Sequence, residues 1–229
     1  MRSTALSDEA RPFPPRGGRL FSRKGRRESA RSGQGANNSG LVYAIVKPRG
    51  AEPMIQPNPT YVAQCQCGAV EIGAWGAPIM VNACYCDDCQ AAAERLAGSA
   101  GSPAAANADG GAEFMVYRRD RLACTRGADR LEPMRLSEAS KTRRMIAGCC
   151  ATPLYLAFDD KRPWASAYRA NFGADAPPVE MRICTRFRRS EAKVADGLPS
   201  HPGYPPALFL RILAAWPRML FSRPVGALP

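Results

Sequence analysis

The chain has 229 residues, 45% of them hydrophobic, and a formal net charge of +12. This length and apolar content are enough for one globular domain with extensions. The positive charge lies at the two ends: 11 basic against 4 acidic side chains in residues 1–53, 8 against 2 in residues 182–229, and 13 against 14 in between. A nucleic-acid-binding core would carry its own basic surface, so nucleic acid is not the expected partner of the core.

The first 53 residues are rich in Arg, Ser, Gly and Pro and contain few large apolar side chains. Such a stretch buries too little surface to offset its ordering entropy, so we predict a disordered basic extension. Met54 would be an ordinary first residue for the domain that follows, so the extension could also lie upstream of the true start. No secretory signal is recognisable in it, because residues 1–30 have no apolar h-region.

The nine cysteines are the most informative residue type in the chain. Nine is an odd number, and disulfide frameworks are typical of short secreted chains, so we expect reduced or metal-bound thiols and a cytoplasmic location. No apolar run approaches the about 18 residues that a membrane-spanning helix requires. We therefore expect a protein without a transmembrane segment.

Five of these cysteines fall within residues 61–90, as Cys65-Gln-Cys67-Gly68 and Cys84-Tyr-Cys86-Asp-Asp-Cys89. Soft thiolates that lie close together in the chain select zinc or an iron–sulfur cluster. Both sulfurs of a C-x-C can reach one ion only where the chain turns, and Gly68 permits that turn. The second motif supplies three ligands, the number found at catalytic zinc sites that keep one position open.

Short β-strands are predicted around these motifs, from alternating or apolar runs punctuated by Gly, Pro and Asn. A short helix is predicted over residues 90–97, after Cys89, and the small residues of 99–111 predict a loop. A Pro-rich linker precedes a second helix over residues 207–216, broken at Pro217. The predicted strands begin at Tyr61 and include 69–72, 78–82, 114–117, 122–125, 145–147 and 154–158.

The cysteine motifs, the Gly127 turn and Cys150-Ala-Thr-Pro-Leu154 together resemble the glutathione-dependent formaldehyde-activating enzyme (GFA) family, which also contains centromere protein V. The resemblance covers roughly residues 61–160. It implies a mainly β fold, a tent of small antiparallel β-sheets with short helices that a structural zinc holds together. The domain organisation expected from it is a zinc-binding β domain over 54–190, followed by a Pro-rich linker and C-terminal helix over 191–229.

The same resemblance implies which cysteines bind zinc, with one to two ions per chain. Cys65 and Cys67 would be structural ligands, completed by a later C-x-x-C, whereas Cys84, Cys86 and Cys89 would hold a catalytic zinc. The later motif departs from the family pattern, since Cys149 and Cys150 are adjacent. Adjacent side chains usually point apart, so Cys150 is the safer ligand; Cys124 or Cys184 could also complete the set, although each is more simply a buried thiol.

Two functions follow from these expectations. The first is a carbon–sulfur lyase that acts on an adduct of an aldehyde and a small-molecule thiol, with glutathione as the suspected thiol. A zinc bound by thiolates suits this chemistry, since it can present a substrate thiolate to a carbonyl carbon. The second is a non-catalytic zinc-stabilised binding module, associated with nucleic acid through its basic tail. His201, the only histidine, lies in the Pro-rich segment and is given no catalytic role.

Overall fold

The structure is a computed structural model that divides the chain into two units, residues 1–56 and 57–229. It describes residues 58–97, 105–160, 162–190, 196–222 and 224–229, all in the second unit. The extension predicted over residues 1–53 lies outside the described residues. The main elements in chain order are β1 (Tyr61–Gln64), β2 (Glu71–Ala74), β3 (Met80–Cys84), α1 (Asp87–Ala97), β4 (Ala112–Arg118), β5 (Leu122–Arg126), β6 (Leu131–Met134), β7 (Thr142–Ala147), β8 (Thr152–Phe158), β9 (Trp164–Tyr168), β10 (Met181–Ile183) and α2 (Pro206–Phe221).

The strands form two sheets, so the predicted mainly β class is confirmed. The three-stranded sheet has the order β1-β2-β5, and the seven-stranded sheet has the order β10-β3-β4-β9-β8-β7-β6. All pairs are antiparallel except β10 with β3, which is parallel. The size of the seven-stranded sheet depends on the pairing of β4 with β9 and of β10 with β3, strands that lie far apart in the sequence and whose pairing short strand patterns do not reveal.

The seven-stranded sheet buries both of its faces. Val81, Met115, Ala167, Tyr155 and Met145 are successive cross-strand partners and therefore lie on one face. This face packs against Val70, Ile72 and Leu122, which come from or border the three-stranded sheet. Each large apolar side chain buried in this way contributes about 1.5–3 kcal/mol to folding. The opposite face is covered by the two helices.

Helix α1 starts three residues earlier than predicted. Asp87 and Asp88 occupy its first turn, where negative side chains interact favourably with the helix dipole. Cys89, Ala92 and Leu96 are buried at spacings of three and four residues, which fixes the face that packs on the sheet. Cys89 is consequently held on a regular helix and not on the loop before it.

Helix α2 packs on the same face of the seven-stranded sheet through Leu208 and Ile212, one turn apart. The predicted break at Pro217 is wrong, because the helix continues to Phe221. Proline removes the hydrogen bond to the carbonyl four residues earlier, that of Leu213. Leu213 is exposed, so we attribute the tolerance of Pro217 to solvation of that carbonyl by water. In the described ranges, no helix combines the length and hydrophobicity needed to cross a membrane.

Candidate functional site

The first candidate metal centre brings together four cysteines, Cys65, Cys67, Cys149 and Cys150. Their sulfur atoms all lie within 4.8 Å of one another. The Sγ of Cys67 is 3.6 Å from that of Cys65 and 3.2 Å from that of Cys149. Four thiols at these separations match the tetrahedral sulfur set of structural zinc sites. The first pair follows β1 and the second lies between β7 and β8, so this group links the two sheets.

Tight turns create the convergence on both sides. Gly68 has a φ of 72°, and its N–H donates to the Cys65 carbonyl over 2.8 Å. That left-handed conformation folds the chain back so that the Val70 N–H donates to the Cys65 sulfur over 3.2 Å. On the other side, Ala151 has a φ of 53°, unusual for a residue with a Cβ. These backbone conformations turn the thiols inward.

The structure differs from the expectation that adjacent cysteines point apart. The sulfur atoms of Cys149 and Cys150 are 3.9 Å from each other, and both belong to the four-thiol group. The two residues lie in the turn between β7 and β8, where the side chains do not alternate as they do along a strand. Burial raises the pKa of the Cys150 thiol, but hydrogen bonds that include the one from Thr152 outweigh it and lower the pKa to about 6.

The second candidate metal centre consists of Cys84, Cys86 and Cys89, whose sulfurs also lie within 4.8 Å of one another. Cys84 ends β3, whereas Cys89 sits in the first turn of α1 and donates its backbone N–H to the Cys86 carbonyl over 3.0 Å. The Sγ atoms of Cys84 and Cys86 are 3.5 Å apart. The strand end and the helix start thus aim three thiols at one point, with Cys84 and Cys89 buried.

Electrostatics at this second centre favour a thiolate. Hydrogen bonds from Cys84 and Cys89 lower the pKa of Cys86 to about 3, and the positive charge of Arg144 acts in the same direction. Hydrogen bonds to Cys184, Cys86 and Cys89 raise the pKa of Cys84. These hydrogen bonds favour a thiolate at Cys86, and a thiolate is the form that binds a soft cation.

Cys184 and Cys124, the other cysteines weighed as ligands, both lie outside the four-thiol group. The Cys184 thiol contacts Cys84 and the Tyr204 hydroxyl, so it is next to the second centre. The Cys124 sulfur lies 3.2 Å from the Arg126 carbonyl oxygen on β5. His201 pairs through its backbone with Arg182 and Thr185 at the sheet edge. All nine cysteines are free thiols.

A cavity of about 320 Å³ adjoins the second centre. It lies between the seven-stranded sheet and α2, with the three thiols of the second centre in its wall. Leu208, Phe209 and Ile212 of α2 form its roof, and most of the remaining lining is apolar or aromatic. This volume is within the range of small-molecule sites, and such sites combine apolar walls with a few polar groups.

Two of these polar groups, Asn82 and Arg144, were missed by sequence reasoning. Both side chains are buried and line the cavity. Asn82 precedes Cys84 by two residues on the same face of β3. Arg144 comes from β7 and donates through Nη2 to the Asp88 carbonyl over 2.8 Å. No local signal marks either residue, because Asn82 is the last residue of the strand predicted over 78–82 and Arg144 follows Arg143 just before the strand predicted over 145–147.

Comparison with known proteins places these features in a family. Residues 60–182 match the family model described as glutathione-dependent formaldehyde-activating enzyme, which covers more than half of the chain. The chain therefore belongs to the GFA family, as the cysteine motifs indicated. A crystal structure of a Rhodobacter sphaeroides protein is similar at 17% sequence identity and a TM-score of 0.36, covering 51% of this chain and 91% of that chain. None of the curated proteins matches the sequence.

Proposed function

We infer that the protein catalyses formation or cleavage of a carbon–sulfur bond in an adduct of a thiol and an aldehyde. The observation that carries this proposal is the convergence of Cys84, Cys86 and Cys89 in the wall of a cavity large enough for a small substrate. The family to which the chain belongs is named for glutathione and formaldehyde, which supports glutathione as a candidate thiol. A binding surface alone would not require three thiols that line a cavity.

The donor set fits zinc, since three soft ligands leave a fourth tetrahedral position for a substrate. Zinc bound there would lower the pKa of a substrate thiol and hold it as a thiolate. Cys84, Cys86 and Cys89 would set the orientation of that sulfur toward the cavity. In the forward reaction, the thiolate electron pair would form the new bond to the carbonyl carbon while the C=O π pair moves onto the oxygen. That oxygen would then take up the proton that the thiol released, giving a hydroxyl.

Asn82 supplies a group that suits the hydroxyl of such an adduct. Its Oδ1 is buried and has no hydrogen-bond partner among the described residues. Asn82 and Cys84 line the cavity from the same face of β3, so the hydroxyl of an adduct bound beside Cys84 would donate to this oxygen. A buried acceptor without a donor is costly, so the adduct would relieve a penalty that the free protein bears. Asn82 is therefore the proposed positioning group for the adduct.

Exchange NMR tests this function directly, because the adduct and the free thiol interconvert. We expect the zinc-loaded protein to accelerate exchange between glutathione and S-hydroxymethylglutathione in proportion to its concentration. Cys86→Ser should remove the acceleration and one zinc ion. The matched control is Cys124→Ser, which changes a cysteine outside both thiol groups and should keep both properties.

The proposal fails if zinc-loaded protein leaves the exchange rate at its uncatalysed value with glutathione and with other small thiols. That result would favour the alternative, a binding module in which zinc has only a structural role. Zinc content must be measured in each sample, so that loss of metal is not mistaken for loss of a catalytic group.

A further inference from the structure

The guanidinium of Arg144 is the least satisfied charged group among the described residues. Its side chain is 1% exposed, yet Nε and Nη1 have no hydrogen-bond partner. Nη2 donates a hydrogen bond to the Asp88 carbonyl oxygen. A buried cation with open donors is costly, so native proteins retain one only where it has a specific role.

Arg144 borders the same cavity as the three thiols. Its register on β7 places it opposite Leu156 of β8, which is itself opposite Ser166 of β9, and all three residues line the cavity. Its positive charge favours the thiolate form of both Cys86 and Cys89, so it is close to the second centre. The Tyr168 hydroxyl is a further polar neighbour of the guanidinium.

Charge compensation is the simpler explanation for this arginine. Three thiolates on a divalent zinc carry one net negative charge, which one guanidinium would balance at a distance. That role leaves the two unpaired donors unexplained, however. Nε and Nη1 require acceptors, and the adjoining cavity has space for a ligand that brings them.

We propose that the cavity binds a substrate with a carboxylate on a small apolar or aromatic skeleton, and that Arg144 binds this carboxylate. The inference rests on the proposed function and deepens it by naming the substrate class. A carboxylate is the acceptor that arginine donors prefer in proteins. Phe114, Phe158, Trp164 and Leu208 provide the apolar surroundings that the rest of such a molecule would contact.

A binding experiment separates this inference from catalysis. Titration calorimetry of the zinc-loaded protein with 4-methylbenzoate and with 4-methylbenzamide compares two molecules of the same shape that differ in charge. We expect the acid to bind at least about tenfold more tightly, as charge-assisted hydrogen bonds to a buried arginine imply. Equal affinities, or tighter binding of the amide, would overturn the proposal even if the protein is an active lyase.

Two variants of Arg144 sharpen the test. Arg144→Met should abolish the preference for the acid while leaving weak binding of the amide, and Arg144→Lys should keep part of the preference because it keeps the charge. Retention of the full preference in Arg144→Met would contradict the assignment. If Arg144→Met does not fold, the comparison of the two ligands on the wild-type protein still tests whether the cavity prefers a carboxylate.

Kinetics then identify which reactant brings the carboxylate. The first pair consists of two aldehydes, 4-formylbenzoate and 4-formylbenzamide, whose exchange rates are compared with the same neutral thiol. The second pair consists of two thiols, 4-(mercaptomethyl)benzoate and its amide, whose exchange rates are compared with formaldehyde. A preference for the acid in the first pair assigns the carboxylate to the aldehyde, and a preference in the second assigns it to the thiol. Catalysis without a preference in either pair would support the proposed function and refute the carboxylate site.

Discussion

The backbone conformation of single residues shapes the turns that carry the first candidate metal centre. Gly127, with a φ of 72°, lies in a left-handed conformation before β6, and a Cβ there would overlap the carbonyl oxygen of Ala69. Ala69 follows the Cys65 turn, so the close approach joins that turn to the β5–β6 connection. Ala151 has a comparable left-handed φ but carries a Cβ. One position thus requires glycine, whereas the other tolerates a strained alanine.

Replacing Gly127 with alanine should therefore be strongly destabilising. The left-handed backbone alone costs about 1–2 kcal/mol for a residue with a Cβ, and the overlap with backbone adds to it. We expect a loss of at least about 2 kcal/mol in the free energy of unfolding, measured by urea denaturation of the zinc-loaded protein. Gly76→Ala is the matched control, since its φ is 78° with no atom within 4 Å of the added Cβ, and it should lose less.

Replacing Ala151 with glycine should instead stabilise the protein. Relief of the left-handed strain is worth about 1 kcal/mol, partly offset by the larger entropy of glycine in the unfolded chain. We expect an increase in stability of up to about 1 kcal/mol by the same denaturation experiment. Ala91→Gly, within α1, should instead cost about 1 kcal/mol. A destabilised Ala151→Gly variant would show that the turn does not hold the strain its φ indicates.

At the level of elements, the β7–β8 turn is the part of the candidate metal centres whose sequence departs from the family pattern, because its two cysteines are adjacent. It brings Cys149 and Cys150 to the cysteines that follow β1, and so connects the two sheets. The ligand role of each cysteine stays a prediction. The separation of 3.2 Å between the sulfurs of Cys149 and Cys67 supports a role for Cys149 as well as for Cys150.

Alanine substitutions at these two positions test the four-cysteine centre. If both cysteines bind zinc, Cys149→Ala and Cys150→Ala should each lose one zinc ion and several kcal/mol of stability, because the free energy of zinc binding at a structural site contributes to folding. Thermal melts with zinc counted in each variant measure both effects. A mild loss for Cys149→Ala alone would make Cys150 the ligand of the pair, and mild losses for both would argue against a structural zinc.

At the level of the whole molecule, the two candidate centres have different relations to the fold. The four-thiol group lies where the two sheets meet, whereas the three-thiol group lies on the helix-covered face beside the cavity. Loss of the first should separate sheets that share one core. Loss of the second should leave the packing of both sheets in place.

Removal of all bound metal should therefore unfold the protein, whereas removal of the ion at the three-thiol group alone should not. We expect a strong chelator to abolish the β-sheet signal in circular dichroism, since zinc binding at a structural site contributes directly to folding. Cys67→Ser should yield no soluble protein, whereas Cys86→Ser should yield folded protein with one zinc fewer. A chelated protein that keeps its circular dichroism spectrum and melting temperature would exclude a structural metal.

The sequence by itself determined the features that depend on short spacings. The C-x-C-G and C-x-C-x-x-C motifs identified the family, the three-thiol group and two members of the four-thiol group, and short punctuated strands indicated the mainly β class. Cys84, Cys86 and Cys89 lie within six residues, so a strand end and a helix start suffice to bring their sulfurs together.

Only the tertiary structure decided what surrounds those thiols. Arg144 reaches the Asp88 carbonyl across 56 residues of chain, and α2 forms the cavity roof from still further along the sequence. Cys184 contacts Cys84 because β10 pairs with β3, and the continuation of α2 past Pro217 depends on the exposure of Leu213. Such features arise from strand order and register, which result from burial over the whole domain and leave no mark in any short stretch of sequence.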